Sequence, residues 1–249
     1  MGLTRRLPFL RWSFLRMGLS VRRISTTGQV GDGREAAAIE YVLAHSSPGN
    51  IDDAVRAFDD FAYSNSFLIN IGDEKGRLLD AAITRTDPHV VLELGTYCGY
   101  SALRMASAAP RATIASVEPS AANAANARRI WAHAGIGDRV TCVQGTIGDG
   151  GRTLDTIAGI LDSRPVDFLF LDHDKDAYLP DLVSILERGW LRAGSVALAD
   201  NMGLPGSPKY LRYMRELENR QWRTVEHKTH VEYQTMIPDL VLESDYLGG

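Results

Sequence analysis

Acidic and amide side chains follow two apolar stretches that have the composition of buried strands. The run 166–171 is followed directly by Asp172, and the run 195–199 is followed by Asp200 and Asn201. Because the carboxyl ends of parallel strands meet at one edge of a sheet, we expect these three side chains to lie together. Carboxylate and amide oxygens are ligands that Mg²⁺ accepts, with water or substrate oxygens completing the set. The alternative is that each acid caps the helix after it.

Lys175 follows Asp172 by three residues and is a candidate base. A divalent cation repels a nearby ammonium group, which favours the neutral lysine that accepts a proton. The flanking residues Asp174 and Asp176 favour the charged form instead. The sequence leaves open which influence dominates.

A glycine-containing turn follows the earlier apolar run 89–94. It reads Gly95-Thr96-Tyr97-Cys98-Gly99, and its G-x-x-x-G spacing differs from the G-x-G-x-x-G of dinucleotide-binding turns. Glycines allow a tight turn and a close approach to a ligand. Glu118 ends the next predicted strand, where an acid can accept hydrogen bonds from ribose hydroxyls. The turn alone also fits a site without ligand, and Glu118 alone fits a surface acid, but together they favour a nucleoside-containing ligand.

Alternating strand and helix patterns must position these residues. The predicted strands are 89–94, 113–117, 139–143, 166–171 and 195–199, and the predicted helices are 34–46, 51–65, 73–85, 120–134, 150–162, 177–188 and 208–219. Two later extended stretches, 222–227 and 233–242, have no helix between them and are predicted to pair antiparallel at one sheet edge. The pattern predicts an open α/β sheet with helices on both faces.

The composition is that of an ordinary globular protein. The 249 residues are 45% hydrophobic and 23% charged, which excludes a chain that is disordered throughout. No run approaches about 18 uninterrupted apolar residues, so we expect no integral membrane segment. Two cysteines, Cys98 and Cys142, are too few for a disulfide scaffold and favour a reducing compartment, the cytoplasm. Thiolates or histidines at zinc-ligand spacing are lacking.

Residues 1–31 are predicted to be a basic N-terminal extension, and residues 32–249 a single domain. The extension has no acid and six arginines: Arg5, Arg6, Arg11, Arg16, Arg22 and Arg23. The rest of the chain carries 21 basic and 31 acidic residues, a net charge of −10, which argues against a nucleic-acid partner. Arginines mixed with Leu, Phe and Trp are typical of a helix that contacts a membrane surface weakly, or of a transit presequence. The alternatives are an extension packed on the domain and a start at Met17.

Several motifs together resemble the catechol O-methyltransferase family, in a form most similar to its actinobacterial members. They are VLELGTYCGYSALRMA at 91–106, FLDHDKDAYLPDL at 170–182 and ALADNMGLPGSP at 197–208, with INIGDEKG at 69–76 and VEYQ at 231–234. The resemblance covers roughly residues 35–245. It implies a Rossmann-like seven-stranded methyltransferase sheet, mostly parallel with an antiparallel last strand, and S-adenosylmethionine and Mg²⁺ as cofactors. It does not imply an oligomeric state.

The resemblance assigns a role to each matching residue. The implied metal ligands are Asp172, Asp200 and Asn201, and the implied catalytic residues are the base Lys175 and the acid Glu232. The implied cofactor-binding residues are Ile69, Ile71, Glu93, Gly95, Tyr97, Ser101, Glu118, Gly145, Asp172 and His173. The implied substrate-binding residues are Phe67, Asp172, Lys175, Asn201, Pro205 and Glu232.

The implied reaction is methyl transfer to one hydroxyl of a small catechol. Mg²⁺ chelates both catechol oxygens and lowers the pKa of the hydroxyl, Lys175 removes its proton, and Glu232 determines which hydroxyl faces the methyl group. Mammalian members carry tryptophans at the positions of Phe67 and Asp174. Phe67 keeps an aromatic wall, whereas Asp174 replaces a large apolar surface with a carboxylate, so the adenine and substrate edge of the pocket is expected to be more open and polar. The turn Gly145-Thr146-Ile147-Gly148 lacks the Ser-Gln pair expected near the adenine.

Two other functions are compatible with these motifs. A related metal-dependent enzyme would methylate larger aromatic vicinal diols, such as caffeoyl conjugates or flavonoids, for which Phe67 and Asp174 leave room. A non-catalytic cofactor-binding protein would keep the fold without turnover, although a degenerate site is expected to lose some of the metal and proton-transfer residues retained here.

Overall fold

A seven-stranded sheet forms the centre of the computed structural model, which describes residues 12–20, 23–24 and 27–249 (side chains of residues 14 and 17 excepted). Four arginines of the predicted extension, Arg5, Arg6, Arg11 and Arg22, lie outside the described residues. The strands are β1 Val90–Leu94, β2 Thr113–Glu118, β3 Val140–Gln144, β4 Phe168–Leu171, β5 Val196–Ala199, β6 Trp222–His230 and β7 Pro238–Tyr246. Their order is β3-β2-β1-β4-β5-β7-β6.

The first five strands are parallel, and β7 pairs antiparallel with both β5 and β6. This confirms the predicted mostly parallel sheet with an antiparallel last strand and an antiparallel pair at one edge. In this arrangement the carboxyl ends of β1, β4 and β5 lie side by side. The strand order therefore brings the predicted site residues of three strands to one rim.

Helices connect the strands on both faces of the sheet. They are α1 Trp12–Leu19, α2 Arg34–His45, α3 Ile51–Ser64, α4 Gly72–Thr86, α5 Tyr100–Ala108, α6 Ala121–His133, α7 Arg152–Leu161, α8 Tyr178–Glu187 and α9 Pro208–Glu216. Local sequence explains several starts: the side chains of Asn50 and Ser120 accept backbone N–H groups at the first turns of α3 and α6, and Pro208 begins α9.

Alternating side chains of the strands build two apolar layers. In β4, Phe168 and Phe170 pack with α2 to α6, whereas Leu169 and Leu171 pack with α7 to α9. All four side chains are fully buried. Continuous apolar strands of this kind require cover on both faces, as was predicted from the sequence.

The predicted strand 233–242 is wrong at its start, because β7 begins at Pro238 and residues 231–237 form a loop. The side chain of Gln234 closes this loop: its Oε1 accepts the N–H groups of Met236 and Ile237, and its Nε2 donates to the carbonyl of Val231. A glutamine that satisfies loop backbone groups replaces the ladder hydrogen bonds that a strand would provide.

The described part of the extension packs on the domain. Ser13 of α1 accepts the backbone N–H of Phe67 at its Oγ (3.3 Å) and a hydrogen bond from Arg34 at its carbonyl oxygen (2.9 Å). Further along, the carbonyl of Gly28 accepts the side-chain amide of Asn123 (2.9 Å). Within the described ranges, none of the helices is both long and apolar enough to cross a membrane.

Candidate active site

The ends of β1 and β4 approach each other so closely that only glycine fits between them. Gly95 has a φ of 107°, and a Cβ atom at this position would lie 2.1 Å from the carbonyl oxygen of Asp172. The backbone continues the sheet pairing here, with the N–H of Asp172 donating to Leu94 and that of Asp200 donating to Leu171. Gly95 of the predicted turn therefore allows the two strand ends to lie close together, and this packing positions Asp172.

Glu93 lies fully buried near the end of β1, below this turn. The hydroxyls of Ser101 and Ser116 each donate to one of its carboxylate oxygens. Burial raises the pKa of Glu93 to about 7, although the two hydroxyl hydrogen bonds oppose the shift. A cationic ligand group at this position would stabilise the ionised carboxylate, which suits the amino group of a methionine moiety.

Glu118 is held by the backbone of the two loops beside it. Its Oε2 accepts the N–H of Tyr97 and its Oε1 accepts the N–H of Ser120, both at 2.9 Å. Burial raises its pKa, and the backbone hydrogen bonds act in the opposite direction. Oε1 also accepts the side-chain amide of Asn123 (3.4 Å), whereas Oε2 keeps a second lone pair with which it can accept a ribose hydroxyl.

A pocket of about 440 Å³ opens beside Glu118 at the end of β3, lined in part by Pro119, Gly145, Thr146 and Asp149. The N–H of Gly145 donates to the carbonyl of Glu118. A Cβ atom on Gly145 would lie 2.1 Å from the hydroxyl of Thr153, so the glycine permits the close turn that forms the pocket wall. Its position next to the ribose-binding candidate fits an adenine ring.

His173 is oriented by two neighbours. Its Nε2 lies 2.9 Å from a carboxylate oxygen of Asp181, and its ring stacks on Tyr178 with the centroids 4.9 Å apart. Within the described parts of the chain, its buried Nδ1 has no hydrogen-bond partner. An orphaned buried nitrogen at the rim is a candidate contact for a bound ligand.

The segment before α4 carries three further predicted residues. Phe67 and Ile71 are buried, and Ile69 is half-buried. Phe67 packs edge-to-face on Tyr233, with the ring centroids 6.2 Å apart, and so lies beside the loop that carries Glu232. The rings of Phe67 and Tyr233 thus pack together at the base of this loop.

Lys175 is half-buried, and its Nζ lies 3.1 Å from Asp172 Oδ1 and 2.5 Å from the hydroxyl of Tyr178. The buried tyrosine hydroxyl lies 2.8 Å from the carbonyl oxygen of Leu171. Burial raises the pKa of Tyr178 well above its ordinary value. Tyr178 is therefore a neutral phenol when it contacts Lys175. The flanking Asp174 and Asp176 are exposed, and Asp174 accepts the N–H of Asp176.

The acids that follow β5 and β6 meet in one cluster. Asp200 is fully buried, and its Oδ1 accepts the N–H of Asn201 (2.7 Å). Asn201 Nδ2 donates to Glu232 Oε1 (2.9 Å) and to Asp239 Oδ2 (3.0 Å). The structure thus brings Asp200, Asn201 and Glu232 together as predicted, and adds Asp239 at the start of β7.

Lys75 lies at the centre of this cluster and was not predicted. Its Nζ forms ion pairs with Asp200 Oδ1 (2.8 Å), Glu232 Oε1 (2.5 Å) and Asp239 Oδ2 (3.0 Å). Burial lowers the pKa of Lys75, but these carboxylates outweigh that effect, and the pKa is well above its ordinary value. Lys75 is therefore a permanent positive charge in the site.

The sequence did contain a signal for Lys75. The buried residues of α4 include Gly72, Lys75, Gly76, Leu79 and Ile83, which repeat with helical spacing. A lysine on the buried stripe of an amphipathic helix requires a buried partner. Asp239 carries the same signal in β7, where it occupies a buried position two residues before the buried Val241 and so shares its face of the strand.

Asp239 also fixes the loop that carries Pro205. Its Oδ1 accepts the N–H groups of Gly203 (3.1 Å) and Leu204 (3.0 Å). The hydroxyl of Ser207, after the cis Leu204–Pro205 bond, donates to the carbonyl of Lys175 (2.7 Å). The loop with Pro205 is therefore tied to both the acid cluster and the segment with the candidate base.

The donor set of Asp172, Asp200 and Asn201 fits a divalent cation. Asp200 Oδ2 is buried, and no described residue donates a hydrogen bond to it. Burial raises the pKa of Asp200 to about 7, although Lys75 opposes the shift, so a cation bound there would stabilise the ionised carboxylate. Clusters of three or more His, Cys, Asp or Glu side chains suited to a metal do not occur among the described residues, and the predicted set has two carboxylates with an amide.

A second pocket, of about 380 Å³, lies between α3, α4 and α5 and contains none of the predicted residues. Arg104, on its wall, is bound to Asp80 and to the hydroxyl of Tyr100. Its charged groups thus satisfy one another, and the chemistry is concentrated at the strand ends.

Comparisons with known proteins agree with this geometry. Residues 55–208 match the model of a family described as O-methyltransferase. The chain is 64% identical over 234 residues to a probable O-methyltransferase of Mycobacterium tuberculosis, with 93% of this chain and 100% of that protein covered. It is 35% identical over 212 residues to the catechol O-methyltransferase of Bos taurus, with 85% and 76% covered.

Solved structures show the same fold. An O-methyltransferase from Bacillus cereus in complex with S-adenosylhomocysteine superposes with a TM-score of 0.62 at 17% identity, and 94% of this chain and 99% of that chain are covered. The family match covers the rim residues of β1, β4 and β5 described above. The chain therefore belongs to the O-methyltransferase family and is an S-adenosylmethionine-dependent O-methyltransferase.

Proposed function

We propose that the enzyme methylates one hydroxyl of a small catechol and requires Mg²⁺. The observation that carries this proposal is the buried, unpartnered Asp200 Oδ2 in a cluster with excess negative charge. Two lysines contact the four carboxylates of Asp172, Asp200, Glu232 and Asp239, so the cluster lacks two positive charges when all four acids are ionised. A divalent cation supplies this charge, and Mg²⁺ accepts such a carboxylate and amide set. The 35% identity to a protein named catechol O-methyltransferase supports the acceptor class.

Asp172, Asp200 and Asn201 would hold the metal ion. The bound groups supply two pieces of chemistry, a sulfonium methyl group from S-adenosylmethionine and, from Mg²⁺, a lowered pKa of the acceptor hydroxyl. Glu118 accepts hydrogen bonds from the ribose, and Glu93 pairs with the amino group of the methionine part. The contacts of Ile69, Ile71, Gly95, Tyr97, Ser101, Gly145 and His173 complete the proposed cofactor site.

Lys175 takes the proton of the hydroxyl that becomes methylated and passes it to solvent, to which its side chain is 15% exposed. Asp172 and Tyr178 hold its Nζ in place. Glu232 accepts a hydrogen bond from the second hydroxyl. Phe67 and Pro205 are the proposed borders of the acceptor pocket. Holding the oxygen and the methyl carbon in line accounts for much of the acceleration.

The proposal is tested by methyl transfer from labelled S-adenosylmethionine to a panel of small catechols, with Mg²⁺ or with a chelator. We expect transfer that the chelator abolishes and Mg²⁺ restores. Transfer to caffeoyl conjugates or flavonoids but not to small catechols would favour the larger acceptors, for which the exposed Asp174 leaves room. Cofactor binding without transfer to any acceptor would favour a non-catalytic role and contradict the proposal.

We infer a reducing compartment from the state of the two thiols. Cys98 and Cys142 are both buried and unpaired, which fits a reducing compartment such as the cytoplasm.

A further inference from the structure

All three N–H donors of the Lys75 ammonium group are directed at acidic side chains of the site. Its three N–H donors match the three carboxylate oxygens at 2.8, 2.5 and 3.0 Å, on Asp200, Glu232 and Asp239. Its side chain is 1% exposed, so water does not compete for these contacts. Lys75 therefore contacts each acid through one defined oxygen.

Glu232 is the acid whose orientation depends most on this contact. Its Oε1 is bonded to both Lys75 and Asn201, whereas its Oε2 accepts no hydrogen bond from the part of the chain that the structure describes. Glu232 lies in the loop 231–237 and not in a strand, so the sheet does not orient its side chain. Lys75 and Asn201 together leave Oε2 as the oxygen open to a ligand.

Asp239 fixes Lys75 relative to the sheet. It belongs to β7, its Oδ2 pairs with Lys75, and its Oδ1 holds the N–H groups of Gly203 and Leu204. The lysine is thus anchored between helix α4 and the rigid strand, and Glu232 is placed against both.

We propose that Lys75 is a positioning residue that fixes Glu232 and thereby determines which of two adjacent hydroxyls is methylated. This inference rests on the proposed function. An unsymmetrical acceptor with adjacent hydroxyls can enter in two orientations that exchange the hydroxyls. A fixed Glu232 oxygen accepts the second hydroxyl at one place relative to the pocket walls, so the ring substituent fits in one orientation better than in the other.

The test uses 4-ethylcatechol, which is unsymmetrical and uncharged, and measures the ratio of its two monomethyl ethers. We expect a strong preference in the wild type and a ratio about tenfold closer to one in Lys75→Met, since a charge-assisted hydrogen bond to Glu232 is lost. Lys209→Met is the matched control, because Lys209 is exposed on α9, and it should keep the wild-type ratio. A structural role alone would reduce both ethers equally.

Asp239→Asn is a second variant for the case in which Lys75→Met does not fold. It keeps the lysine and an oxygen for Gly203 and Leu204, but weakens the anchor of Lys75, and should shift the ratio in the same direction. Calorimetry with S-adenosylhomocysteine present adds a readout without turnover, and 4-ethylcatechol should bind more weakly to both variants. The inference would be overturned, and the proposed function kept, if both variants gave the same ether ratio as the wild type or if the wild type itself gave a ratio near one. No ether from the wild-type enzyme would reject the proposed function, and the inference with it.

Discussion

The two lysines of the rim have the same chemistry but different surroundings. Lys175 is 15% exposed and contacts one carboxylate, whereas Lys75 is 1% exposed and contacts three. A lysine enclosed by three acids keeps its proton, and the proposed base is the lysine that reaches solvent. In the proposed mechanism, fixed positive charge and proton transfer therefore belong to different lysines.

Glu93 gives a prediction about pH and stability. Its pKa is about 7 in the folded enzyme against an ordinary value of 4.5, so the folded state binds this proton more tightly than the unfolded state. The free energy of unfolding of the cofactor-free enzyme therefore falls as the pH rises from 4.5 to 7. Glu93→Gln removes this fall, and by urea denaturation at pH 8 the variant should be more stable than wild type by roughly 3 kcal/mol.

The same variant should bind S-adenosylmethionine more weakly, because it lacks the carboxylate that we propose to pair with the amino group of the cofactor. Glu187→Gln is the control, since Glu187 is exposed at the end of α8. Parallel stability curves for Glu93→Gln and wild type between pH 4.5 and 8 would contradict the assignment of the raised pKa to Glu93.

At the scale of elements, the junction of β1 and β4 positions Asp172. Gly95→Ala places a Cβ atom 2.1 Å from the Asp172 carbonyl oxygen at a φ that disfavours a side chain. We expect the variant to lose at least about 2 kcal/mol of stability and to bind S-adenosylmethionine at least tenfold more weakly. Thermal unfolding and calorimetry measure the two effects.

Gly159→Ala is the matched control, because Gly159 is exposed within α7 and a Cβ atom on it meets nothing within 4 Å. It should keep at least wild-type stability, since alanine favours the helix, and wild-type cofactor affinity. If Gly95→Ala behaved like Gly159→Ala, the close approach of the two strand ends would not matter for the site.

The order of the elements was predictable from the sequence, and the ends of some elements were not. Buried apolar runs, such as the one that ends at Leu171, indicate parallel strands. The order of these strands in the sheet places Asp172 and Asp200 at one rim, as expected. The start of β7 was predicted wrongly, because Gln234 satisfies backbone groups that the apolar pattern assigned to a strand. Side-chain hydrogen bonds that replace backbone hydrogen bonds in this way leave no periodic pattern in the sequence.

At the scale of the whole molecule, the sheet gathers groups from distant parts of the chain. Lys75 and Glu232 are 157 residues apart and meet at 2.5 Å. Such a contact could not be predicted from spacing, although a lysine on the buried face of α4 shows that a partner must exist. The strand pattern does locate a second group of residues: Asp172, Asp200 and Asn201 directly follow predicted strands, and Lys175 lies three residues after Asp172. The position of this group at the rim could therefore be predicted.

The extension gives a prediction at this scale. Trp12, Leu15 and Leu19 are 62%, 42% and 83% exposed on α1, spaced so that they share one face, whereas Ser13 contacts the domain. With six arginines and no acid in residues 1–31, we propose that this face contacts anionic membrane surfaces. The enzyme should co-sediment with phosphatidylserine-containing vesicles, and Trp12→Ser with Leu19→Ser should abolish this.

Vesicles of phosphatidylcholine alone serve as the control and should bind much less enzyme. Equal binding to both vesicle types would contradict the electrostatic part of this proposal. Absence of binding to anionic vesicles would reject it, and neither result affects the proposed reaction.

The most direct test of the central claim is the rate of methyl transfer to catechol by Lys175→Ala, with Mg²⁺ and labelled S-adenosylmethionine. Removal of a general base should lower kcat about a hundredfold to ten-thousandfold, with cofactor affinity unchanged. Small primary amines should restore part of the rate, increasingly as the pH rises and more amine is uncharged. Methyl transfer by Lys175→Ala at the wild-type rate would contradict the account.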